Sequence, residues 1–202
     1  MTKEQLQELK AAAENNDLNA VVQLKIYYIN EQPDREKELY YLKKAAALHH
    51  APSEYVLGMG CLFGLDEIPV NKRMGVQYVQ AAANHGIADA WFLLGQLHAN
   101  KKLDFIDYDE KKSFECFETA AKMGCANAQF ELGNFYISKQ KETEKAIFWW
   151  ACAYLHNNEK DKKIAEMAKN RLNELAKVSG EFQKINSIIG QVKKDYAHYT
   201  TE

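Results

Sequence analysis

Proline and glycine, the residues that interrupt helices, are scarce: the chain of 202 residues has only 3 prolines and 10 glycines. Their scarcity favours uninterrupted helices, because both residues are unfavourable in a helix interior. Alanine, the best helix former, occurs instead in runs at 11–13, 45–47 and 81–83. The composition therefore predicts an all-α protein. A chain of this length hides about 70% of its unfolded surface on folding, so it needs no disulfide or metal to be stable.

Other features are also missing, and each absence narrows the function. No segment approaches the ~20 consecutive apolar residues of a membrane span. The N-terminal sequence MTKEQLQELK lacks the apolar region of a secretory signal. The net charge is −2 and the isoelectric point is about 6.3, so nucleic acid and anionic membranes are not expected as partners.

The cysteines follow no recognisable pattern. The four residues Cys61, Cys116, Cys125 and Cys152 are widely scattered and match neither a zinc motif nor a dense disulfide framework. Cys116 and Cys125 are nine residues apart, but we expect them to be buried thiols rather than a disulfide. The sequence therefore predicts a reduced, cytoplasmic protein.

An internal repeat determines the predicted architecture. Residues 80–95 and 118–133 align without a gap, and residues 43–58 form a third copy. Each copy joins an Ala-Ala pair to a Leu-Gly pair, and its glycine lies 37 or 38 residues from the next, at Gly58, Gly95 and Gly133. This period is typical of stacked helix pairs, in which one pair cannot bury its apolar face alone.

Each repeat is predicted to contain a first helix, A, and a second helix, B. The B helices follow Asp34, Asn71, Asp109 and Glu142, which suit the positive end of a helix. Thr2 and Gln5 have the spacing of a capping box. The A helices are predicted at 17–30, 51–63, 88–100, 126–138 and 159–177, and the B helices at 3–14, 34–48, 71–84, 109–122 and 142–156.

We therefore predict a right-handed α–α superhelix of about four to five antiparallel helix pairs over residues 1–180, with the clearest repeats at 17–157. Residues 181–202 are predicted to form a separate amphipathic helix that caps the open end of the solenoid. The alternative is a dimer seam or a docking helix, so a monomer is expected and a dimer through this helix is the other outcome. The apolar positions of this helix are Phe182, Ile185, Ile189, Val192, Tyr196 and Tyr199.

The repeat resembles the Sel-one-like repeat, a relative of the tetratricopeptide repeat. The resemblance rests on ANAQFELGNFY at 126–136, DEKK at 109–112 and FETAAKMG at 117–124, with KAIFWW at 145–150 like the opening of a B helix. It covers about residues 17–157. The chain departs from the pattern where Cys61 and His98 replace tyrosine, Lys25 replaces glycine and 152–154 replaces Lys-Ala-Ala. It also lacks the regular cysteine pairing of one branch of the family.

The resemblance implies a scaffold or adaptor. Members of the family hold protein complexes together, act in signalling and bacterial host interaction, and occur among immunity proteins that neutralise toxins. No catalytic residue comes with the motif, so we predict a protein-binding module and not an enzyme. A dedicated inhibitor, such as an immunity protein bound to a toxin or effector, is one refinement. An adaptor without an inhibitory role is the alternative.

A protein partner is expected to bind the concave groove, which the A helices line. Helix periodicity places three residues of each of three A helices on this groove. The mixture of apolar and polar side chains suits an extended peptide or a helix. The alternative is that Val56, Phe63 and Leu93 complete the core between helices. The predicted partner-binding residues are Val56, Met59, Phe63, Leu93, Gln96, Asn100, Glu131, Asn134 and Ser138.

The histidines show no metal-binding spacing. There is no His-Glu-x-x-His motif, and we expect turn or interface residues that hydrogen-bond locally. His49 and His50 lie at a turn, and the others are isolated in the sequence: His85, His98, His156 and His198. The sequence therefore predicts no metal ligand and no cofactor-binding residue.

Two further patterns could carry catalysis. Ser138 and Lys141 match Ser-x-x-Lys, but the other motifs of the penicillin-recognising enzymes are missing. The segment 101–111 is rich in carboxylates, and we interpret it as a solvated loop ending in a helix cap. No catalytic residue is predicted, and a hydrolase that uses these groups is the least favoured alternative. The carboxylates are Asp104, Asp107, Asp109 and Glu110.

Overall fold

The computed structural model describes residues 1–65, 68–156 and 158–199, and within these ranges it contains helices and no strand. None of these helices is long and apolar enough to cross a membrane. The all-α prediction is therefore confirmed. The helices are α1 (Lys3–Glu14), α2 (Leu18–Asn30), α3 (Arg35–Ala47), α4 (Ala51–Phe63), α5 (Lys72–Asn84), α6 (Ala88–Ala99), α7 (Glu110–Lys122), α8 (Ala126–Phe135), α9 (Thr143–Tyr154), α10 (Lys162–Ser179) and α11 (Phe182–Tyr199).

The helix ends follow the predicted repeat closely. The predicted bounds of the A and B helices differ from the observed ones by at most three residues. One difference is local: the helix predicted at 126–138 ends at Phe135 and continues as a π-helical turn, Tyr136–Gln140. The predicted C-terminal helix starts one residue later than expected, and residues 200–202 lie outside the described ranges.

Side-chain caps explain most of these starts. Asp34, Asn71 and Asp109 each accept a hydrogen bond from the backbone N–H three residues later, and Thr2 and Gln5 form the predicted capping box. The prediction that Glu142 lies at the positive end of a helix is confirmed, because it directly precedes α9. It makes no side-chain cap hydrogen bond; its carboxylate contacts the Nζ atom of a lysine one turn later instead.

The chain divides into two compact units. The first contains residues 1–90 with 102–107, and the second contains 91–101 with 108–202, so the division runs through α6. Residues 181–202 thus belong to the same unit as α9 and α10. The predicted domain boundary after residue 180 stays a prediction.

The core of the first unit is built from α1 to α5. Leu24 of α2 is fully buried, which contributes about 1.5–3 kcal/mol to stability. Tyr28 and Tyr41 stack with their ring centroids 5.7 Å apart, joining α2 to α3. Ala45 has no exposed surface, so the alanines of the repeat allow neighbouring helices to approach closely.

In the second unit, α9 lies at the centre of the packing. Ile147 is fully buried, and Val192 of α11 packs against Ala151 and Cys152 of α9. Part of the predicted seam of α11 is therefore covered by α9, which favours the capping interpretation. Phe182, at the start of α11, is 52% exposed. The side chains of Tyr196 and Tyr199 lie outside the described part of the chain.

The repeat glycines are the points of closest helix contact. A Cβ atom at Gly58 would lie 2.6 Å from Val79 Cγ2 and 3.2 Å from the carbonyl oxygen of Gly75 on α5. In the second unit, a Cβ at Gly95 would lie 2.6 Å from the ring of Phe117, and one at Gly133 would overlap an indole ring of α9. Only glycine allows these contacts without moving the partner helix.

We expect Gly58→Ala to lower the free energy of unfolding by about 1–3 kcal/mol, because the methyl group overpacks the contact between α4 and α5. Gly190→Ala is the matched control. Gly190 lies in α11 with no heavy atom within 4 Å of its missing Cβ, so alanine should leave stability unchanged or raise it. Urea unfolding followed by circular dichroism measures both. Equal midpoints for the two variants would contradict the close-contact role of Gly58.

Candidate functional site

In the first unit, α4 exposes an apolar face. Of the three predicted partner-binding residues there, Val56 is 39% exposed, Phe63 is 53% exposed and Met59 is partly exposed. The alternative that Val56 and Phe63 complete the core is not favoured by these exposures. In α2 the position of the repeat equivalent to Met59 is Ile26, which is 47% exposed. The sequence prediction did not include Ile26 among the partner-binding residues, although it occupies the same position of the repeat as Met59.

In the second unit, the predicted positions are mostly polar. Leu93 is only 8% exposed, so little of its side chain is available to a partner, as the core alternative expected. Gln96 is exposed on α6, and Asn100, directly after the end of α6, is also exposed. On α8, Glu131 and Asn134 are partly exposed, and the Nδ2 atom of Asn134 lies 3.4 Å from Glu131 Oε2.

Ser138 lies in the π-helical turn. Its hydroxyl donates a 2.7 Å hydrogen bond to the carbonyl oxygen of Asn134, which is the contact of a helical serine rather than of an activated nucleophile. Ser138 and Asn134 border a small cavity of about 250 Å³, which Ile137, Trp150 and Arg171 also line. The guanidinium of Arg171 is already paired, with its Nη1 atom 3.2 Å from Glu174 Oε2.

A larger groove of about 660 Å³ lies elsewhere in the second unit. Its apolar lining includes Phe148, which is 40% exposed, and Met123, which is 41% exposed. At its edge, His156 Nε2 lies 3.1 Å from Gln129 Oε1 and His156 Nδ1 lies 3.1 Å from a carboxylate oxygen of Asp161. His156 is thus the locally hydrogen-bonded histidine that the sequence predicted.

The carboxylates near residue 110 are structural. Asp109 caps α7 by accepting a hydrogen bond from the backbone N–H of Lys112. This hydrogen bond lowers the pKa of the Asp109 carboxyl below its usual value. The pKa of Glu110 is also lowered, chiefly by a hydrogen bond from Lys139 Nζ at 2.9 Å. A general acid at neutral pH needs a raised pKa. These two groups therefore do not form an acid–base pair.

His85 is isolated in the sequence but hydrogen-bonded in the structure, as expected of a turn or interface histidine. The Nδ1 atom of His85 lies 2.7 Å from Glu54 Oε2, and the Nδ1 atom of His49 lies 3.5 Å from Glu54 Oε1. The antiparallel packing of α5 on α4 produces this cluster, because it returns the end of α5 to the start of α4. His85 lies 31 positions after Glu54 and 36 positions after His49 along the chain, so no short motif could reveal the cluster.

Comparison with known proteins identifies the fold. The sequence matches no protein-family model and no curated protein. The structure resembles c5321, a protective antigen of uropathogenic Escherichia coli with an SLR fold, at a TM-score of 0.70 and 22% identity, covering 86% of this chain and 36% of that one. It also resembles a Sel1 repeat protein from Oxalobacter formigenes, at 0.70 and 23%, covering 86% of this chain and 49% of that one.

These similarities show that the chain has the Sel-one-like repeat fold, as its sequence pattern predicted. The chain spans less than half the length of either protein. Immunity protein PA5088 from Pseudomonas aeruginosa is similar at a TM-score of 0.46 and 16% identity, over 85% of this chain and 72% of that one. A similarity that low carries no argument about this chain.

The thiols lie in the interior, as the sequence predicted. All four cysteines are free and buried. Burial raises the pKa of the Cys116 thiol to about 11 and that of Cys152 to about 12. The reactive form of cysteine is the thiolate, so these two residues are poor nucleophiles in the folded chain.

We expect Cys116 and Cys152 to resist alkylation by iodoacetamide at pH 8 in the folded chain and to react fully in guanidinium chloride. The physical reason is that folding removes both access and the thiolate form. Peptide mapping by mass spectrometry reports each cysteine separately. Rapid alkylation of either residue in the native chain would show that it is more accessible than the structure places it.

Proposed function

We propose that this protein is a protein-interaction module and that the exposed face of α4 binds its partner. The observation that carries the proposal is the exposure of Val56 and Phe63 on one face of a helix whose other face is fully used in the core. Exposed apolar side chains grouped on one surface mark interaction sites. Ile26, at the equivalent register of α2, adds a third apolar side chain to this unit.

The two units offer different chemistry to a partner. The face of α4 suits apolar side chains, such as those on one side of an amphipathic helix. The predicted residues of the second unit offer amides, a carboxylate and a hydroxyl, which suit hydrogen bonds to a peptide. Either kind of surface fits a protein segment, so each unit by itself supports a protein as the partner.

Within this class, the refinement is a dedicated inhibitor, such as an immunity protein for a toxin. It is motivated by the small size, the mild acidity and the sequence resemblance. The alternative is an adaptor that holds its partner without blocking it. Loss of the partner's activity in a 1:1 complex supports the inhibitor, and retention of that activity supports the adaptor.

The test is a double substitution of the exposed face, Val56→Asp with Phe63→Asp. Two buried charges at the centre of an interface should weaken binding by about tenfold or more. The readout is the yield of a near-stoichiometric partner captured on the tagged chain from native extract, followed by titration of the purified partner. The fold is checked by circular dichroism, because both positions are exposed and should tolerate a charge.

Val178→Asp is the control for this test. Val178 is 87% exposed at the end of α10 in the second unit, so this variant adds one of the two charges on a different helix. We expect Val178→Asp to bind the partner as the unchanged chain does. If the double variant binds equally well, the face of α4 is not the interface. If no protein binds the unchanged chain, the proposed function itself fails.

A further inference from the structure

His49, Glu54 and His85 form a compact cluster in the first unit. Glu54 lies in the first turn of α4, His49 lies in the turn between α3 and α4, and His85 is the C-cap of α5. The side chain of Glu54 is 3% exposed, whereas those of His49 and His85 are 76% and 40% exposed. The carboxylate is thus buried, and the two imidazole rings that contact it are partly or largely exposed to solvent.

The carboxylate oxygens divide between the two rings. Glu54 Oε2 lies 2.7 Å from His85 Nδ1, and Glu54 Oε1 lies 3.5 Å from His49 Nδ1. The ring centroids of His49 and His85 are 5.3 Å apart. His50, which is adjacent in sequence, places its Nδ1 atom 2.8 Å from Ser53 Oγ instead. The three ligand atoms all lie within 4.8 Å of one another.

The backbone at His49 adds an independent observation. His49 has φ of 59°, in the left-handed region that favours glycine. The residues two positions before α2, α6 and α8 have the same conformation, and they are Asn16, Gly86 and Gly124. The other repeats therefore place residues that tolerate this conformation there. At this turn the residue is His49, and its Nδ1 atom lies 3.5 Å from Glu54 Oε1 of the buried carboxylate.

We propose that His49, Glu54 and His85 bind a divalent transition-metal ion such as Zn²⁺. Two histidine nitrogens and one carboxylate oxygen form an established ligand set for zinc, with bonds of about 2.0–2.2 Å. Tetrahedral geometry at these lengths separates neighbouring ligand atoms by roughly 3.3 Å. The 2.7 Å distance runs from His85 Nδ1 to Glu54 Oε2 and the 3.5 Å distance from His49 Nδ1 to Glu54 Oε1, so the two exposed rings must adjust by about an ångström or less to share one oxygen or to take both.

The donor set also selects the class of ion. Mg²⁺ and Ca²⁺ prefer oxygen ligands, whereas imidazole suits Zn²⁺, Cu²⁺ and Ni²⁺. The carboxylate supplies negative charge that offsets part of the charge of the ion. The ion ties the turn before α4 to the end of α5, and its fourth position faces solvent. Binding therefore stabilises the folded first unit.

The repeat supplies two conservative variants for the test. His49→Gly introduces the residue found at the equivalent turn before α6 and α8, so it removes a ligand and relieves the backbone. Glu54→Gln introduces the residue found at the equivalent position of α8, Gln129, which is also buried. Both substitutions should preserve the fold. His98→Ala is the control, because it removes a histidine outside the cluster.

The experiment is isothermal titration of the metal-free full chain with ZnCl₂ at pH 7.5, followed by thermal unfolding with and without the ion. We expect one Zn²⁺ per chain, and a loss of affinity of about tenfold or more in His49→Gly and Glu54→Gln. We expect Zn²⁺ to raise the melting temperature of the unchanged chain and of His98→Ala, with a smaller rise in the two cluster variants.

Either of two results would overturn the proposal. The first is an unchanged chain that takes up no Zn²⁺, which would leave the cluster as a hydrogen-bonded group only. The second is equal affinity in His49→Gly, Glu54→Gln and the unchanged chain, which would place the ion elsewhere. Neither result bears on the face of α4 that includes Phe63.

Discussion

The fold depends on the absence of a side chain at one position of each clear repeat. Gly58, Gly95 and Gly133 each allow a side chain of the following B helix to lie directly against a helix backbone. The contact at Gly133 leaves Trp150 only 3% exposed, with its indole directly against the backbone of α8. Close packing at these glycines holds each A helix against its B helix.

This constraint leaves the rest of the repeat free to vary. Positions on the packed faces carry alanine, leucine and glycine, whereas the exposed positions of the A helices differ from one copy to the next. The fourth residue of the A helix is Glu54 in α4 and Gln129 in α8, and both are buried beside a histidine from further along the chain. A single change from amide to carboxylate at this position gives the first unit its acidic centre.

The sequence predicted most of the fold because its signals are local. The spacing of the glycines fixed the repeat, and caps such as Asp109 fixed the helix starts. It did not predict the π-helical turn after Phe135, because no proline or glycine marks the change of helix at Tyr136–Gln140. It also missed the meeting of His49 with His85, since that depends on how α5 packs on α4. The burial of Leu93 shows the same limit, because periodicity alone does not say which neighbours cover an exposed stripe.

The same division between packed and free positions separates stability from binding in this protein. Val56 is 39% exposed and Phe63 is 53% exposed, so both contribute less to the core than the buried residues of α4. A partner can therefore contact these two side chains without unfolding the chain. Glu54 is different, because its burial makes it both part of the packing and the centre of a polar cluster. A ligand bound to a group in that position would tie its binding to the stability of α4 and α5. We therefore propose two independent sites on one helix, the face of α4 for a protein surface and the cluster at its start for a metal ion.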